Sequence, residues 1–263
     1  MFPIACAIYC VLFYHYFLQA NSETAHRAKT LYSTDAQDDC LRIVLGIFTV
    51  ANERDRRDGW RLIFKEQGRG LVSPINLGSE LQCGFNYVFV FGGNTDESHD
   101  SVVVSEFENM NNGKSYKWWC FAAENFPRAH IIAKMDSDTM ICPAALLSRI
   151  QQGVQCGASY YNSFYIGNQV TFVTCGKADY CPKEYTYASG GLHFLSQDLV
   201  QWIRNSPFAA NHTLGPEDLL TGMWLHNSQM PVKFINMAFW KESFEFDSRG
   251  WTGFLPGCRH SRE

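Results

Sequence analysis

The chain has 263 residues, a net charge of −4, 15 % aromatic and only 18 % charged residues. That composition excludes a disordered chain, and the negative balance without a basic stripe argues against nucleic acid as a partner. The nearest approach to a stripe, Arg54, Arg56, Arg57 and Arg61, is interleaved with Glu53, Asp55 and Asp58 and reads as a solvated helix start.

Phe2 to Leu18 is a continuous apolar and aromatic run broken only by His15. As a helix it would span about 26 Å, slightly less than a hydrocarbon core of roughly 30 Å, so it suits either a signal-anchor or a signal peptide. No Lys or Arg precedes it, Arg27 and Lys29 follow it, and Leu18 stands where a cleavage after Ala20 would prefer a small residue. Either reading directs the rest of the chain to the secretory lumen. The expected organisation is therefore 1–20 as this segment, 21–40 as a short polar stem and 41–263 as the folded domain. Ten cysteines, two of them in the apolar run and none in a CxxC pair, point to disulfides in an oxidising compartment rather than to zinc. Cys175 and Cys181 are close enough to bridge a loop, although spacing does not give connectivity. Asn211-His212-Thr213 is an N-glycosylation acceptor triplet for the same compartment.

In chain order, Leu41 to Val50 is a β-branched and aromatic run expected as a central strand. Asp55 to Gln67 is expected as a helix with Trp60, Ile63 and Phe64 on one face, and Asn86 to Phe91 as a second strand stopped by Gly92-Gly93. Val102 to Asn112 mixes strand-like valines with loop-like carboxylates and asparagines. Lys114 to Asn125 reads as a helix with Trp118, Phe121 and Ala122 inward. It leads into His130 to Pro143, HIIAKMDSDTMICP, where an apolar strand ends in two aspartates. Open α/β sheets bind ligands at the carboxyl ends of their strands. Asp136 and Asp138 there offer hard oxygen ligands to a divalent cation, which in turn suits a diphosphate. The competing reading is a polar strand-to-helix turn in which Asp138 caps a helix through Ala144 to Ile150.

Strand, helix, strand, helix, strand with acids at the third strand's end is the layout of a doubly wound nucleotide-binding half. No GxGxxG follows the first strand and no GxxxxGK occurs, so dinucleotide and P-loop enzymes do not fit. A haloacid-type phosphatase would carry its acids on the first strand as DxDx[TV], whereas here Thr139 comes one position early.

Further on, Cys142 to Gln152 is expected as a helix, and Ala158 to Tyr165 with Gln169 to Thr174 as a hairpin turning at Gly167-Asn168. Tyr160, Tyr161, Phe164 and Tyr165 form an aromatic cluster suited to stacking on a sugar or to filling the core. In Tyr185 to Val200 a glycine pair, Gly190-Gly191, precedes a strand-like LHFLS and a helix begun by Ser196. The pair serves either an ordinary turn or a close approach of backbone to a ligand. Gly215-Pro216-Glu217-Asp218 opens a helix through Trp224, and its proline and acids suit a helix start as well as they suit a general base at Asp218.

The series NYVFVFG, NGKSYKWW, AKMDSDTMICPAALL, YASGGLHFLSQDL and GPEDLLTGMWL resembles, in order and approximate spacing, the β1,3-glycosyltransferase family of galactosyl-, N-acetylglucosaminyl- and fringe-type transferases. DRRDGWRLIF is similar to its opening arginine-rich motif, and NMNNGKSYKWW is closest in wording to its kinetoplastid branch. The resemblance implies an α/β fold of GT-A type, Rossmann-like, with a mixed central sheet flanked by helices. It implies an inverting hexosyltransferase using UDP-galactose or UDP-N-acetylglucosamine with Mn²⁺. Such an enzyme acts on glycan acceptors, forms β1,3 linkages, and is held in the Golgi or endoplasmic-reticulum membrane by one amino-terminal span. By the same resemblance Asp136, Ser137 and Asp138 form the DxD motif, with Asp138 toward the metal and Asp136 toward the ribose. Asp218 is the catalytic base. Glu217, its neighbour, is structural or acceptor-facing, Gly190 and Gly191 line the acceptor or donor pocket, and Arg57, Thr49 and Lys114 lie near the nucleotide. The family's histidine some two dozen residues after EDxxxG has no counterpart in Lys233 to Arg249, which leaves His260 as the candidate third ligand. A catalytically inactive relative that binds sugar or chaperones a partner is the alternative.

Overall fold

The structure, a computed structural model, describes residues 40–93, 98–155, 162–172 and 184–237, together with the backbone of Phe244–Phe246. All of its elements belong to the unit that begins at Leu41. The amino-terminal apolar run, Cys175, Cys181, Tyr160, Tyr161 and His260 lie outside the described residues. Among the described residues no helix is long and apolar enough to cross a membrane.

Ten strands and six helices are described, in the order β1 (Arg42–Phe48), α1 (Arg54–Gln67), β2 (Val72–Pro74), β3 (Gly84–Gly92), β4 (Ser101–Ser105), α2 (Lys114–Asn125), β5 (Ile131–Asp136), β6 (Thr139–Ile141), α3 (Pro143–Gln155), β7 (Phe164–Phe172), β8 (Tyr185–Ser196), α4 (Gln197–Asn205), α5 (Pro207–Asn211), α6 (Glu217–Asn227), β9 (Lys233–Asn236) and β10 (Phe244–Phe246). The main sheet runs β2-β3-β1-β5-β8-β7-β9, with β4 also pairing β3. β1 is parallel to β3 and β5, while β8 is antiparallel to both β5 and β7. The sheet is therefore mixed, and helices cover both faces. β10 pairs β6 in a separate antiparallel ribbon.

Strand alternation divides the core. Ile43, Leu45 and Ile47 of β1 point to one side, where they meet Trp60 and Phe64 of α1 and Leu146 and Ile150 of α3. Val44 and Phe48 point to the other, onto Trp118, Trp119 and Ala122 of α2, Leu199 of α4 and Trp224 of α6. Trp118 packs so close to β1 that a Cβ on Gly46 would lie 2.4 Å from its ring, and its indole N–H donates to the Ala133 carbonyl at 3.2 Å. Phe164 and Tyr165 are buried and belong to these cores rather than to a surface.

Several local expectations are corrected. Gly167-Asn168 does not turn a hairpin: β7 runs straight through, with a register shift against β8 at that point. The reason is close packing, since a Cβ on Gly167 would lie 2.3 Å from that of Ala188. Likewise Gly190-Gly191 lies inside β8, where the pairing with β7 skips from His193 to Ser189. The glycine pair forms a bulge, not a turn. Asp138 does not cap a helix, because Thr139–Ile141 forms β6 before α3 begins at Pro143. The valines of the ambiguous segment win locally as β4, through pairing with the edge of β3. Pro216 occupies the N-cap position of α6 rather than its first turn. Cys40, Cys83 and Cys142 are disulfide-bonded, and Cys120 is a free thiol.

Candidate active site

Where β1 and β5 end side by side, Phe48 opposite Asp136, the chain opens a cleft of about 250 Å³ lined by Phe48, Thr49, Val50, Glu53, Arg56, Glu108, Met110, Lys114, Asp136, Ser137 and Asp138. Parallel neighbours must leave the sheet by crossover connections, and their diverging exits make the crevice.

Arg57 holds the first exit from beneath. Fully buried, it donates to the Thr49 hydroxyl at 3.2 Å, the Val50 carbonyl at 2.6 Å and the Ala51 carbonyl at 3.2 Å, with its guanidinium 4.9 Å from the Phe91 ring centre. It supports the loop from behind, and Arg56 and Glu53 face the cleft instead. Glu53 receives the Thr49 hydroxyl at 3.1 Å, the Val50 N–H at 3.3 Å and the Ser137 hydroxyl at 2.7 Å, and ion-pairs with Arg56 at 2.6 Å. Ser137 is further fixed by its N–H on the Phe48 carbonyl at 3.0 Å and by the Trp60 indole on its own carbonyl at 3.0 Å. The middle residue of DSD is thus a strut between β1, α1 and β5, which leaves its two aspartates at the cleft. Asp138 is exposed, and its carboxyl is held above the usual range by partial burial and by the neighbouring charge of Asp136.

The other wall is organised by lysines. Lys114, at the start of α2, is buried and donates to the Thr49 carbonyl at 3.1 Å while ion-pairing with Glu108. Burial lowers its pKa, although Glu108 opposes the fall. Lys134, in the middle of β5, is fully buried; its ammonium meets Asp136 Oδ1 at 2.8 Å and the Glu217 carboxylate of α6. Burial disfavours its charge, but Asp136, Glu217 and Asp218 more than offset this and the net shift is upward. Glu217 is pushed up to about 7 because burial exceeds what Lys134 returns to it. One residue on, Asp218 Oδ2 accepts the Gly190 N–H at 2.6 Å, while its Oδ1 accepts no hydrogen bond. Burial raises its pKa as well.

The structure therefore gathers Thr49, Lys114, Asp136, Ser137 and Asp138 around one cleft, and links Asp136 through Lys134 to the helix start that carries Glu217, Asp218 and, across it, Gly190. Gly191 is buried within β8. Glu53, Arg56 and Arg57, expected as part of a solvated helix start, instead line or underpin the cleft, and Glu108 and Lys134 were not singled out by sequence. Only Lys134 carried a signal, a lysine inside an apolar central strand that has to find buried counter-charge. Among the described residues no three metal-ligating side chains converge. The donor set still fits a divalent cation of the hard-oxygen kind, since two carboxylates shared with substrate phosphates suffice for such ions, and burial and the charge of Asp136 hold the Asp138 carboxyl above its ordinary range despite Arg56.

The sequence model of the galactosyltransferase family matches residues 91–237, more than half of the chain. None of the curated proteins compared with the sequence matches it. Among solved structures, a glycosyltransferase involved in the glycosylation of the major capsid of PBCV-1 is similar at a TM-score of 0.36 and 13 % identity, over 75 % of this chain and 83 % of that one.

Proposed function

Since the chain belongs to the galactosyltransferase family, we propose that it is an inverting, UDP-sugar-dependent hexosyltransferase that passes galactose or N-acetylglucosamine to a glycan acceptor in a β1,3 linkage. The observation that supports this most is the joining, through Lys134, of the acid-bearing end of β5 to the first turn of α6, which connects the candidate donor-side carboxylate to a helix start whose Asp218 keeps a buried Oδ1 without a hydrogen bond. The disulfides at Cys40, Cys83 and Cys142 support an oxidising, luminal setting in the Golgi or endoplasmic reticulum, with the amino-terminal apolar run as its membrane segment. The NMNNGKSYKWW wording supports the kinetoplastid branch of the family.

In this reading Asp136 and Asp138 would hold Mn²⁺, and the ion would supply positive charge against the diphosphate. Asp218 Oδ1 takes the proton of an acceptor hydroxyl as that oxygen attacks the anomeric carbon. The bond from that carbon to the phosphate oxygen breaks on the opposite face, UDP leaves with the electron pair, and the configuration inverts. Gly190 keeps the other carboxylate oxygen occupied, so the proton has one place to go. Burial raises the basicity of Asp218, and a base so placed contributes on the order of 10² to 10⁴ in rate.

The test is UDP release by the purified full chain from a panel of UDP-sugars, with Mn²⁺ and with chelator, beside Asp138→Ala and Asp218→Asn. Release from one donor, lost with chelator and in both variants, is expected. UDP binding with no turnover of any donor across acceptors would identify an inactive relative, and absence of UDP binding would remove the donor site altogether.

A further inference from the structure

We propose that Lys134 is a positioning residue that ties the donor-side acids to the candidate base, so that Asp136 and Asp218 are set by one buried ammonium. The proposal rests on the transferase reading of this cleft.

Lys134 sits between Ala133 and Met135 at the centre of the sheet with none of its side chain in water, and its ammonium lies 5.3 Å from the Phe48 ring centre. A charge there is tolerable only when paired and hydrogen-bonded. Its partners come from different directions: Asp136 from the cleft end of its own strand, and Glu217 from α6, a helix 83 residues later. Glu217 also receives the Ser115 hydroxyl of α2 at 3.4 Å. α6 has no side-chain N-cap hydrogen bond. Besides the Thr221 hydroxyl on the Glu217 carbonyl within the helix, the ties on its first two residues are the Glu217 side-chain contacts and the Gly190 amide on Asp218. Losing the ammonium would leave Glu217 as a buried carboxyl without its cation, and the turn that aims Asp218 would shift with it.

The experiment compares wild type, Lys134→Met, Glu217→Gln and the double variant as full chains. Thermal melts and hydrogen exchange across 217–222 are read without ligand, UDP binding with Mn²⁺, and kcat and acceptor KM on the best donor. Lys134→Met is expected to melt lower, exchange faster across 217–222, bind UDP more weakly and lose about 10²-fold in kcat with acceptor KM little changed. Adding Glu217→Gln removes the stranded carboxylate, so melting recovers while kcat and the fast exchange do not. A merely structural ion pair would behave differently: kcat would recover with stability, or exchange across 217–222 would match wild type, and either result overturns the proposal. If Lys134→Met alone does not fold, the folded double variant decides, slow supporting it and fast overturning it. Failure of wild type itself to bind UDP is a separate outcome, which overturns the transferase reading and this proposal with it.

Discussion

Gly190 donates its backbone N–H to Asp218 Oδ2 at 2.6 Å from a left-handed conformation, φ 78°, inside strand β8. A strand in which every residue kept extended geometry would aim that amide into its own ladder. The left-handed residue in the bulge turns it out of the sheet toward α6, so one oxygen of the candidate base is held by backbone from the neighbouring strand.

Gly190→Ala therefore tests the bulge. An L side chain in that region costs roughly 1–2 kcal/mol, and relief of the strain would turn the amide away from Asp218. The expected result is a modestly lowered melting temperature with kcat down about tenfold or more and UDP affinity close to wild type. A variant with unchanged kcat would show that the Gly190 contact does not set the base.

Glu217 makes stability depend on pH near neutrality. Its folded pKa of about 7 lies above the ordinary 4.5, so between those values the folded state holds a proton that the unfolded chain has released. The associated stability is in place below about pH 4.5 and is lost as pH rises toward 7, by about 3 kcal/mol at most. Melting curves of wild type and Glu217→Gln from pH 4.5 to 8 should diverge over that window, with wild type losing ground relative to the variant. Parallel curves would mean that Glu217 titrates as an ordinary carboxylate.

Asp100 should matter for stability and not for the reaction. It is 1 % exposed at the start of β4 and receives Arg61 of α1 through two hydrogen bonds of 2.9 and 2.7 Å, with the Tyr87 hydroxyl at 3.3 Å. Burial pushes its carboxyl up, but Arg61 overcomes this and the net pKa is below the usual 3.8. Its contribution is present above the unfolded carboxylate range and is lost as pH falls through the lowered value. Asp100→Ala is expected to lose about 3 kcal/mol in urea unfolding, at the low end for such a pair because Arg61 keeps 28 % of its side chain in water. UDP affinity of the folded fraction should be unchanged; a loss of affinity out of step with stability would contradict this.

The glycine of EDLLTG has a packing reason. A Cβ on Gly222 would stand 2.4 Å from Tyr187 Cβ and 2.8 Å from the Thr186 carbonyl oxygen, so α6 lies directly on β8 at that point. Neither atom is the movable tip of a side chain. Gly222→Ala should push the helix off the strand, destabilise by about 1–3 kcal/mol and reduce kcat, because the same helix carries Asp218. A variant with wild-type melting would show that the helix has room to move.

Much of the local structure was legible because it rests on short-range pattern. The continuous β-branched and aromatic run of β1, the apolar stripe of α1 and the limits of α2 at Lys114 and Asn125 need only neighbouring residues to be read. The turn expected at Gly167-Asn168, and the turn alternative at Gly190-Gly191, failed for a definite reason. Whether Gly167 and Gly190 turn the chain or bulge within it depends on whether a partner strand continues past them, and that partner is distant in sequence.

The same division holds at the candidate site. Sequence by itself determined the chemical inventory, two acids at a strand end and an acidic helix start, and the order that likens the chain to its family. Tertiary structure alone decided which charged and polar side chains answer one another. Glu217 comes to Lys134 across 83 residues and Ser137 to Glu53 across 84. Such pairings follow from burial, which makes an unmatched charge intolerable and so selects its partner by proximity in the folded sheet rather than along the chain.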